Sequence, residues 1–260
     1  MIRPPAAKAV LFLALSASLV VGYLFLLGVF RNKLGPLSAA VPALALASAA
    51  LLLNRQFFRA DGQSLAAIGL KAPSLRIRQI AIGFAAGCLL VLAWAATLMV
   101  LTPVSWRLTP AVSVTAIAGA VVFIVFNNAA EELTYRGYLF LLLANAYGRI
   151  VAVVFTCGLF TILHIQGGVP WPNALAGVLT SALVFAALFV RWQSLPLVLS
   201  FHVATNFMQE LLGLRTSGLS LWSLTNTGNI SISQNDSVLL VTAAINIVLA
   251  LTIFYAPRRP

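Results

Sequence analysis

The chain has 260 residues, of which 61% are hydrophobic and only 8% are charged, and its formal net charge is +11. A soluble domain carries about 25% charged residues, so this composition excludes an ordinary soluble protein and indicates an all-α polytopic membrane protein. The basic residues are scattered between apolar runs, so the positive charge indicates contact with anionic lipid heads and does not indicate nucleic acid binding.

Apolar runs long enough to cross a bilayer follow one another along the chain and predict about eight transmembrane helices. The first run follows a short basic head and is too long for the core of a signal peptide, so we expect a retained anchor. Residues 54–79 mix basic and apolar side chains, which predicts a loop with amphipathic pieces at the lipid surface. The predicted spans are 9–30, 37–53, 80–101, 111–147, 150–165, 174–190, 195–214 and 237–256.

The connections between the later spans are short or polar. Residues 102–110 form a short predicted loop with Trp106 as an interfacial anchor, and residues 215–236 form an exposed predicted loop. The fourth apolar stretch is longer than one span, so we expect either a protruding tilted helix or a bend near Arg136 and Gly137. Cys88 and Cys157 lie inside apolar segments, which favours packing over a disulfide or a zinc-cysteine site.

We expect a single membrane domain with three parts. Residues 1–110 contain the first three spans, residues 111–214 contain the polar cluster described below, and residues 215–260 contain a polar loop and the final span. Eight spans place both termini on one side, and the loops on that side hold most of the basic residues. The positive-inside rule therefore predicts cytosolic termini, and we expect a bacterial plasma membrane.

Ionisable and amide side chains gather inside the fourth apolar stretch, although the whole chain holds only five acids. Charged groups at membrane depth cost about 2.5–3.5 kcal/mol each on insertion scales, so they indicate function. On a helix, the i,i+4 spacing predicts an ion pair and hydrogen bonds from two amides to two carboxylates. The cluster consists of Asn127, Asn128, Glu131, Glu132 and Arg136.

Both histidines of the chain also lie in predicted spans, His164 in the fifth and His202 in the seventh. Phe160 shares a helix face with His164, and Asn206 shares a helix face with His202. A buried carboxylate can act as a general base toward water, and an imidazole beside an amide can stabilise the oxyanion formed at an amide carbonyl. We therefore predict a polar cavity between the fourth, fifth and seventh helices. The chain contains neither a Gly-x-Ser-x-Gly elbow nor a His-Glu-x-x-His motif.

Three motifs follow one another in the order found in a known family. They are Glu131-Glu132-x-x-x-Arg136, Phe160-x-x-x-His164 and His202-x-x-x-Asn206. This set resembles the motifs of the CAAX protease and bacteriocin-processing family (CPBP, formerly ABI), which includes type II CAAX prenyl endopeptidases. The resemblance covers roughly residues 121–213 and implies an intramembrane endopeptidase. The family has been called both a metalloprotease and a glutamate protease family, and we expect the glutamate type, which needs no cofactor.

The resemblance implies a catalytic role for four residues and a supporting role for two. Glu131 would be the general base, and His164 would help to orient the attacking water. His202 and Asn206 would stabilise the oxyanion. The supporting residues would be Glu132 and Arg136, while Glu210 has no counterpart in the pattern and is left outside the predicted site.

Several alternatives remain open at this point. A zinc-dependent hydrolysis would use Glu131, His164 and His202 as ligands. A non-catalytic scaffold, chaperone or immunity protein would bind a peptide without cutting it, and a proton-coupled transporter would use the buried acids and histidines as a relay. The expected partners are the lipid bilayer and a membrane-associated peptide or protein, either prenylated or carrying a leader.

Overall fold

A computed structural model of the chain describes residues 4–31, 33–70, 73–109, 113–214, 220–226 and 236–257. The described architecture is all-α apart from one antiparallel sheet of two short strands, β1 (Val104–Leu108) and β2 (Trp222–Asn226). A π-helical turn, Ala174–Leu179, lies within α7. The helices are α1 (Pro5–Phe30), α2 (Ala40–Ala60), α3 (Pro73–Leu101), α4 (Val114–Arg136), α5 (Tyr138–Tyr147), α6 (Arg149–Gln166), α7 (Trp171–Trp192), α8 (Leu195–Leu211) and α9 (Asp236–Tyr255).

Seven helical segments of the described chain are long and apolar enough to cross a membrane, so this is an integral membrane protein. One of the seven is the stretch Val114–Tyr147, which contains both α4 and α5. The sequence predicts about eight spans, and the difference lies at 195–214, where α8 has only 17 residues. More than half of the residues of α8 are buried by other helices. A helix enclosed in this way needs neither the length nor the apolar surface of a span that faces lipid.

The start of α1 and the end of α9 lie at the same end of the bundle, which we call the terminal face. Lys8 of α1 donates to the carboxylate of Asp61 after α2, over 2.6 Å. The chain beyond Asp61 reaches the start of α8, where Gly69 lies against Ser194. Arg191, at the end of α7, donates to a backbone carbonyl just after α9. The prediction of cytosolic termini also used basic residues that lie outside the described part of the chain, namely Arg3, Lys71, Arg215, Arg258 and Arg259.

Helices α3 and α8 run parallel and approach each other very closely. Gly83 and Gly87 of α3 face α8, and a Cβ atom at either position would overlap backbone atoms of α8. The overlapping atoms would belong to Leu197 opposite Gly83 and to Phe201 opposite Gly87. Small residues four apart allow such contact between membrane helices, where dispersion and packing drive association. This glycine seam fixes the depth of α8 within the bundle.

The two strands lie at the opposite end of the bundle, in segments that the sequence predicts as loops. Trp106 of β1 is opposite Leu224 of β2 in the antiparallel register. The indole Nε1 of Trp106 donates to the carbonyl oxygen of Leu212 over 2.7 Å. The predicted interfacial aromatic residue therefore ties the sheet to the end of α8.

The segment 54–79 is more helical than the sequence predicts. Helix α2 continues to Ala60, α3 begins at Pro73, and a short 3₁₀ turn, Leu65–Ile68, lies between them. Phe58 and Ile68 are fully buried in the core. These apolar side chains pack inward and do not lie on the lipid surface.

Asp61 joins three helices at the terminal face, and we expect Asp61→Asn to lower the free energy of unfolding by about 1 kcal/mol. Its carboxylate accepts hydrogen bonds from Lys8 of α1 and, over 2.8 Å, from the hydroxyl of Tyr138 of α5. Partial burial disfavours ionisation, but these two donors outweigh it and hold the pKa of Asp61 below its ordinary value.

Because the pKa is lowered in the folded state, this contribution is present above the ordinary carboxyl range of about pH 4 and is lost as the pH falls through the folded-state pKa. Thermal unfolding of the purified wild type and of Asp61→Asn, compared at pH values from about 7 downward, measures the effect. The difference should shrink in acid, and a difference independent of pH would contradict the assignment.

Candidate active site

A backbone break separates α4 from α5 immediately after the predicted charged cluster. Gly137 stands between the two helices with φ −83° and ψ −133°. The side chain of Asn54 on α2 holds the break, because its Nδ2 donates to the carbonyl oxygen of Leu133 over 3.0 Å and its Oδ1 accepts from the N–H of Tyr138 over 2.7 Å. A Cβ atom at Gly137 would overlap this amide. The chain therefore bends at Gly137, which is one of the two arrangements expected from the excess length of the fourth apolar stretch.

Asn54 is a residue that the sequence reasoning missed. It follows the apolar run 37–53, and an asparagine at such a position indicates only the polar end of a transmembrane span. In the structure it is fully buried, and its partners are 79 and 84 positions further along the chain. No local pattern predicts contacts of this kind.

We expect Asn54→Leu to destabilise the protein, because it leaves the N–H of Tyr138 and the carbonyl of Leu133 buried without these partners. Each such group costs about 1–3 kcal/mol. Unfolding of the purified protein by denaturing detergent in mixed micelles measures the loss. Asn145→Leu is the matched control, since Asn145 is an exposed asparagine on α5 and the same replacement there should change the stability little. Equal stability of Asn54→Leu and wild type would show that the amide does not hold the break.

Glu132 and Arg136 form a buried ion pair one helical turn apart, as their spacing predicts. Both side chains are 0% exposed, and Nη1 of Arg136 lies 3.1 Å from Oε1 of Glu132. Nη2 of Arg136 donates to the carbonyl oxygen of Ala182 on α7 over 3.2 Å. The rings of Phe160 and Phe185 flank the guanidinium, with centroids 5.1 and 5.4 Å from Cζ. Hydrogen bonds and aromatic faces offset part of the cost of burying the two charges, while Oε2 of Glu132 and Nε of Arg136 have no hydrogen-bond partner among the described residues.

His202 lies between the two adjacent glutamates. Its Nδ1 is 2.8 Å from Oε1 of Glu132, and because an ionised carboxylate only accepts, Nδ1 carries the proton. Its Nε2 is 3.7 Å from Oε2 of Glu131, too far for a direct hydrogen bond and short enough for a bridging water. The side chain of Glu131 is 25% exposed, whereas that of Glu132 is sealed. Glu132 therefore anchors the ring of His202, whereas Glu131 remains accessible from outside the cluster.

The two asparagines that precede the glutamates behave differently from each other. Nδ2 of Asn127 donates to Oε1 of Glu131 over 2.8 Å, as the helical spacing predicts. The corresponding prediction for Asn128 is wrong, because its Oδ1 accepts a hydrogen bond of 2.9 Å from Nδ2 of Asn206 on α8. Nδ2 of Asn128 is buried without a partner among the described residues. Asn128 therefore makes a hydrogen bond with α8 instead of the predicted one to Glu132 within α4.

His164 lies on α6, one turn beyond Phe160. Its Nδ1 donates to the carbonyl oxygen of Phe160 over 2.8 Å, which leaves Nε2 as the acceptor of a neutral ring. The Phe160 ring centroid is 4.3 Å from that of His164 and 6.3 Å from that of His202. In the part of the chain that the structure describes, no hydrogen bond joins His164 to Glu131. Glu132 thus contacts both Arg136 and His202 directly, and Glu131 lies 3.7 Å from His202. Asn206 is joined to α4 through Asn128.

Phe185 on α7 is a second residue that the sequence does not single out. Its ring stacks on that of His202, with centroids 4.4 Å apart and planes inclined by 30°. The same ring flanks Arg136. A phenylalanine within a wholly apolar span carries no signal of such a role.

The zinc alternative requires at least three ligands that lie close together. The described residues contain no group of three or more His, Cys, Asp or Glu side chains able to hold a metal ion. In His202 and in His164 it is Nδ1 that makes the hydrogen bond, to Glu132 and to Phe160 respectively, and Nε2 lies outside it. Metal-bound histidines are held in the same way, so the zinc alternative is decided by experiment.

Residues 113–208 match a protein-family model described as type II CAAX prenyl endopeptidase Rce1-like. This segment belongs to the CAAX protease family. It runs from the start of α4 into α8 and contains all three sequence motifs, so the resemblance drawn from those motifs is confirmed. Searches of the curated proteins and of the solved structures found no match.

The matched segment, residues 113–208, contains every residue of the polar cluster. Helices α1–α3 and α9 lie outside it, although α2 and α3 pack directly against it through Asn54 and the glycine seam. Family membership of the segment supports a CAAX-type membrane endopeptidase, in agreement with the apolar helices that surround the cluster.

Proposed function

We propose that the protein is an intramembrane endopeptidase in which Glu131 activates the water that attacks a peptide bond. The observation that carries the proposal is the contrast between the glutamates around His202. Glu132 is sealed and paired, whereas Glu131 is 25% exposed with an oxygen 3.7 Å from Nε2 of His202. A general base must reach both its water and its substrate, and Glu131 is the accessible carboxylate.

In the proposed reaction, Glu131 takes a proton from water while the water oxygen attacks the carbonyl carbon of the substrate. The resulting oxyanion is stabilised by Nε2–H of His202 in its protonated form and by the amide of Asn206, which would exchange Asn128 for the substrate oxygen. Collapse breaks the C–N bond, and Glu131 returns the proton to the leaving amine. His164 would help to orient the water through Nε2.

The buried pair of Glu132 and Arg136 has a positioning role in this proposal. Glu132 accepts from Nδ1 of His202 over 2.8 Å, which fixes the ring and leaves Nε2 directed toward Glu131. Arg136 keeps Glu132 ionised by direct pairing over 3.1 Å.

The substrate we propose is a membrane-associated peptide that is prenylated or carries a leader. The description of the matched family names CAAX prenyl endopeptidases, and the site lies between helices able to cross a membrane. We further propose cytosolic termini in a bacterial plasma membrane, since the described ends of α1 and α9 share one face.

The test is cleavage of a fluorogenic prenylated peptide by the purified protein in vesicles, with mass spectrometry of the products. We expect cleavage at one bond and slower cleavage of the same peptide without its prenyl group. A chelator such as 1,10-phenanthroline should leave the rate unchanged, whereas loss with chelator and recovery with zinc would favour the metal-dependent alternative. Peptide binding without cleavage would favour a scaffold or immunity protein. Substrate accumulation that collapses with the proton gradient would favour a transporter.

Asn206→Ala is expected to lower kcat by about 10²–10³-fold with little change in KM, because an oxyanion donor acts in the transition state. Steady-state kinetics with the same peptide measure the change. Gln209→Ala is the matched control, because Gln209 is another amide on α8 and donates to the backbone carbonyl of Thr205. A rise in KM at unchanged kcat would show instead that Asn206 only binds the substrate.

A further inference from the structure

A long apolar groove lies on the flank of the bundle, and none of its lining residues belongs to the charged cluster. Its volume is about 580 Å³, and α3, α4 and α8 form its walls. Ile80 and Phe84, on the α3 wall, are among the exposed large hydrophobic residues, so this side of the groove faces the acyl chains of the bilayer. The other main lining residues are Val121, Val125, Val203 and Phe207.

The groove has the length of one lipid leaflet. Its lining on α8 extends from Leu195 to Phe207, which corresponds to about 18 Å along a helix. Half of the hydrocarbon core of a bilayer is about 15 Å thick. The end of the groove at Leu195 lies at the terminal face, since Ser194 there lies against Gly69. A hydrocarbon chain entering from that face would be covered along its length.

The mouth of the groove carries one charged lining residue, Arg76, in the first turn of α3. Arg76 is partly buried, and its Nε is inaccessible and has no hydrogen-bond partner among the described residues. A buried guanidinium N–H without a partner is costly unless a ligand supplies an acceptor. Because Arg76 is only partly buried, an anion at this position would pair with the accessible part of the guanidinium while a chain attached to that anion filled the groove.

We propose that this groove is a binding site for an anionic phospholipid, with one acyl chain in the apolar channel and the phosphate on Arg76. The occupant is a lipid of the leaflet at the terminal face, where the described basic residues Arg55, Arg59 and Arg78 also lie at the ends of α2 and α3. Basic residues near a membrane surface attract anionic head groups. The site is separate from the reaction proposed above, and its test needs no catalytic activity.

The experiment measures binding of radiolabelled dioleoylphosphatidylglycerol and dioleoylphosphatidylcholine to the purified full-length protein in detergent. We expect one saturable site that binds the anionic lipid at least about fivefold more tightly than the zwitterionic one. Arg76→Gln should abolish this preference by weakening binding of the anionic lipid, and it should weaken binding of the zwitterionic lipid less, because the choline ammonium already neutralises the phosphate that both lipids carry. Arg78→Gln is the matched control, since Arg78 is exposed two positions away on the same helix, and it should retain the preference.

Val203→Trp tests the channel itself, because the larger side chain would occupy the space between α4 and α8, and it should weaken binding of both lipids. Thermal unfolding of each variant shows whether it is folded, and Val203→Leu supplies a milder change if the tryptophan variant does not fold. Equal loss of preference in Arg76→Gln and Arg78→Gln would show diffuse surface charge and overturn the proposal. Displacement of both lipids by a prenylated peptide, with no effect of Arg76→Gln, would also overturn it and assign the groove to a substrate chain.

Discussion

Glu131→Gln is expected to lower kcat/KM for peptide cleavage by about 10²–10⁴-fold, the usual contribution of a general base. The glutamine preserves the size of the side chain and a carbonyl oxygen for the hydrogen bond from Asn127, but it cannot take a proton from water. Because Glu131 is partly exposed and makes no buried ion pair like that of Glu132, the variant should unfold at nearly the wild-type temperature. Cleavage kinetics and thermal unfolding of the same preparation separate loss of chemistry from loss of fold.

The matched control for this experiment is Glu210→Gln, which removes an acid from α8 outside the proposed site. It should retain most of the activity. Glu131→Asp keeps the carboxylate but withdraws it by one methylene, so an intermediate rate is expected. If Glu131→Gln cleaves within a few-fold of the wild type, Glu131 is not the base and the proposed mechanism fails.

Arg136→Met is expected to lower the free energy of unfolding by about 3–5 kcal/mol, the cost of leaving one partner of a buried ion pair uncompensated. Glu132 would then be a sealed carboxylate held only by Nδ1 of His202. Methionine fills much of the space between Phe160 and Phe185, so the charge and not a cavity dominates the loss. Unfolding by denaturing detergent in mixed micelles measures the difference.

The double variant Glu132→Gln with Arg136→Met distinguishes stability from function. Removing both charges should restore much of the stability, because two desolvated ions are no longer buried. Activity should remain low, since an amide, which can also turn its NH₂ group toward Nδ1, holds the ring of His202 less firmly than a carboxylate does. Recovery of both stability and activity would show that the ion pair is only a structural brace.

The parts of the site that follow from local spacing could be predicted from the sequence. The pair of Glu132 and Arg136 and the hydrogen bond from Asn127 to Glu131 each join residues four apart on one helix. The same rule failed for Asn128, because Asn206 of another helix competes for its side chain. Asn54 and Phe185 could not be predicted, since their contacts depend on how distant helices pack.

The number and depth of the helices were harder to predict than their existence. Hydropathy measures the contact of a helix with lipid, so it does not reveal that α8 is short and enclosed by its neighbours. The break at Gly137 ends α4 close to α6, where Phe160 packs edge-on against Tyr135, and hydropathy alone does not predict this contact.

The glycine seam and the amide of Asn54 determine which helices must be kept together when segments of such proteins are exchanged. Residues 113–208 carry the family signature, yet the contacts that set the tilt and depth of that portion come from Asn54, Gly83 and Gly87 upstream. A chimera that contains only residues 113–208 of this protein would lose the contacts made by Asn54, Gly83 and Gly87. We expect exchange to succeed only when the second and third helices travel with it from the same parent.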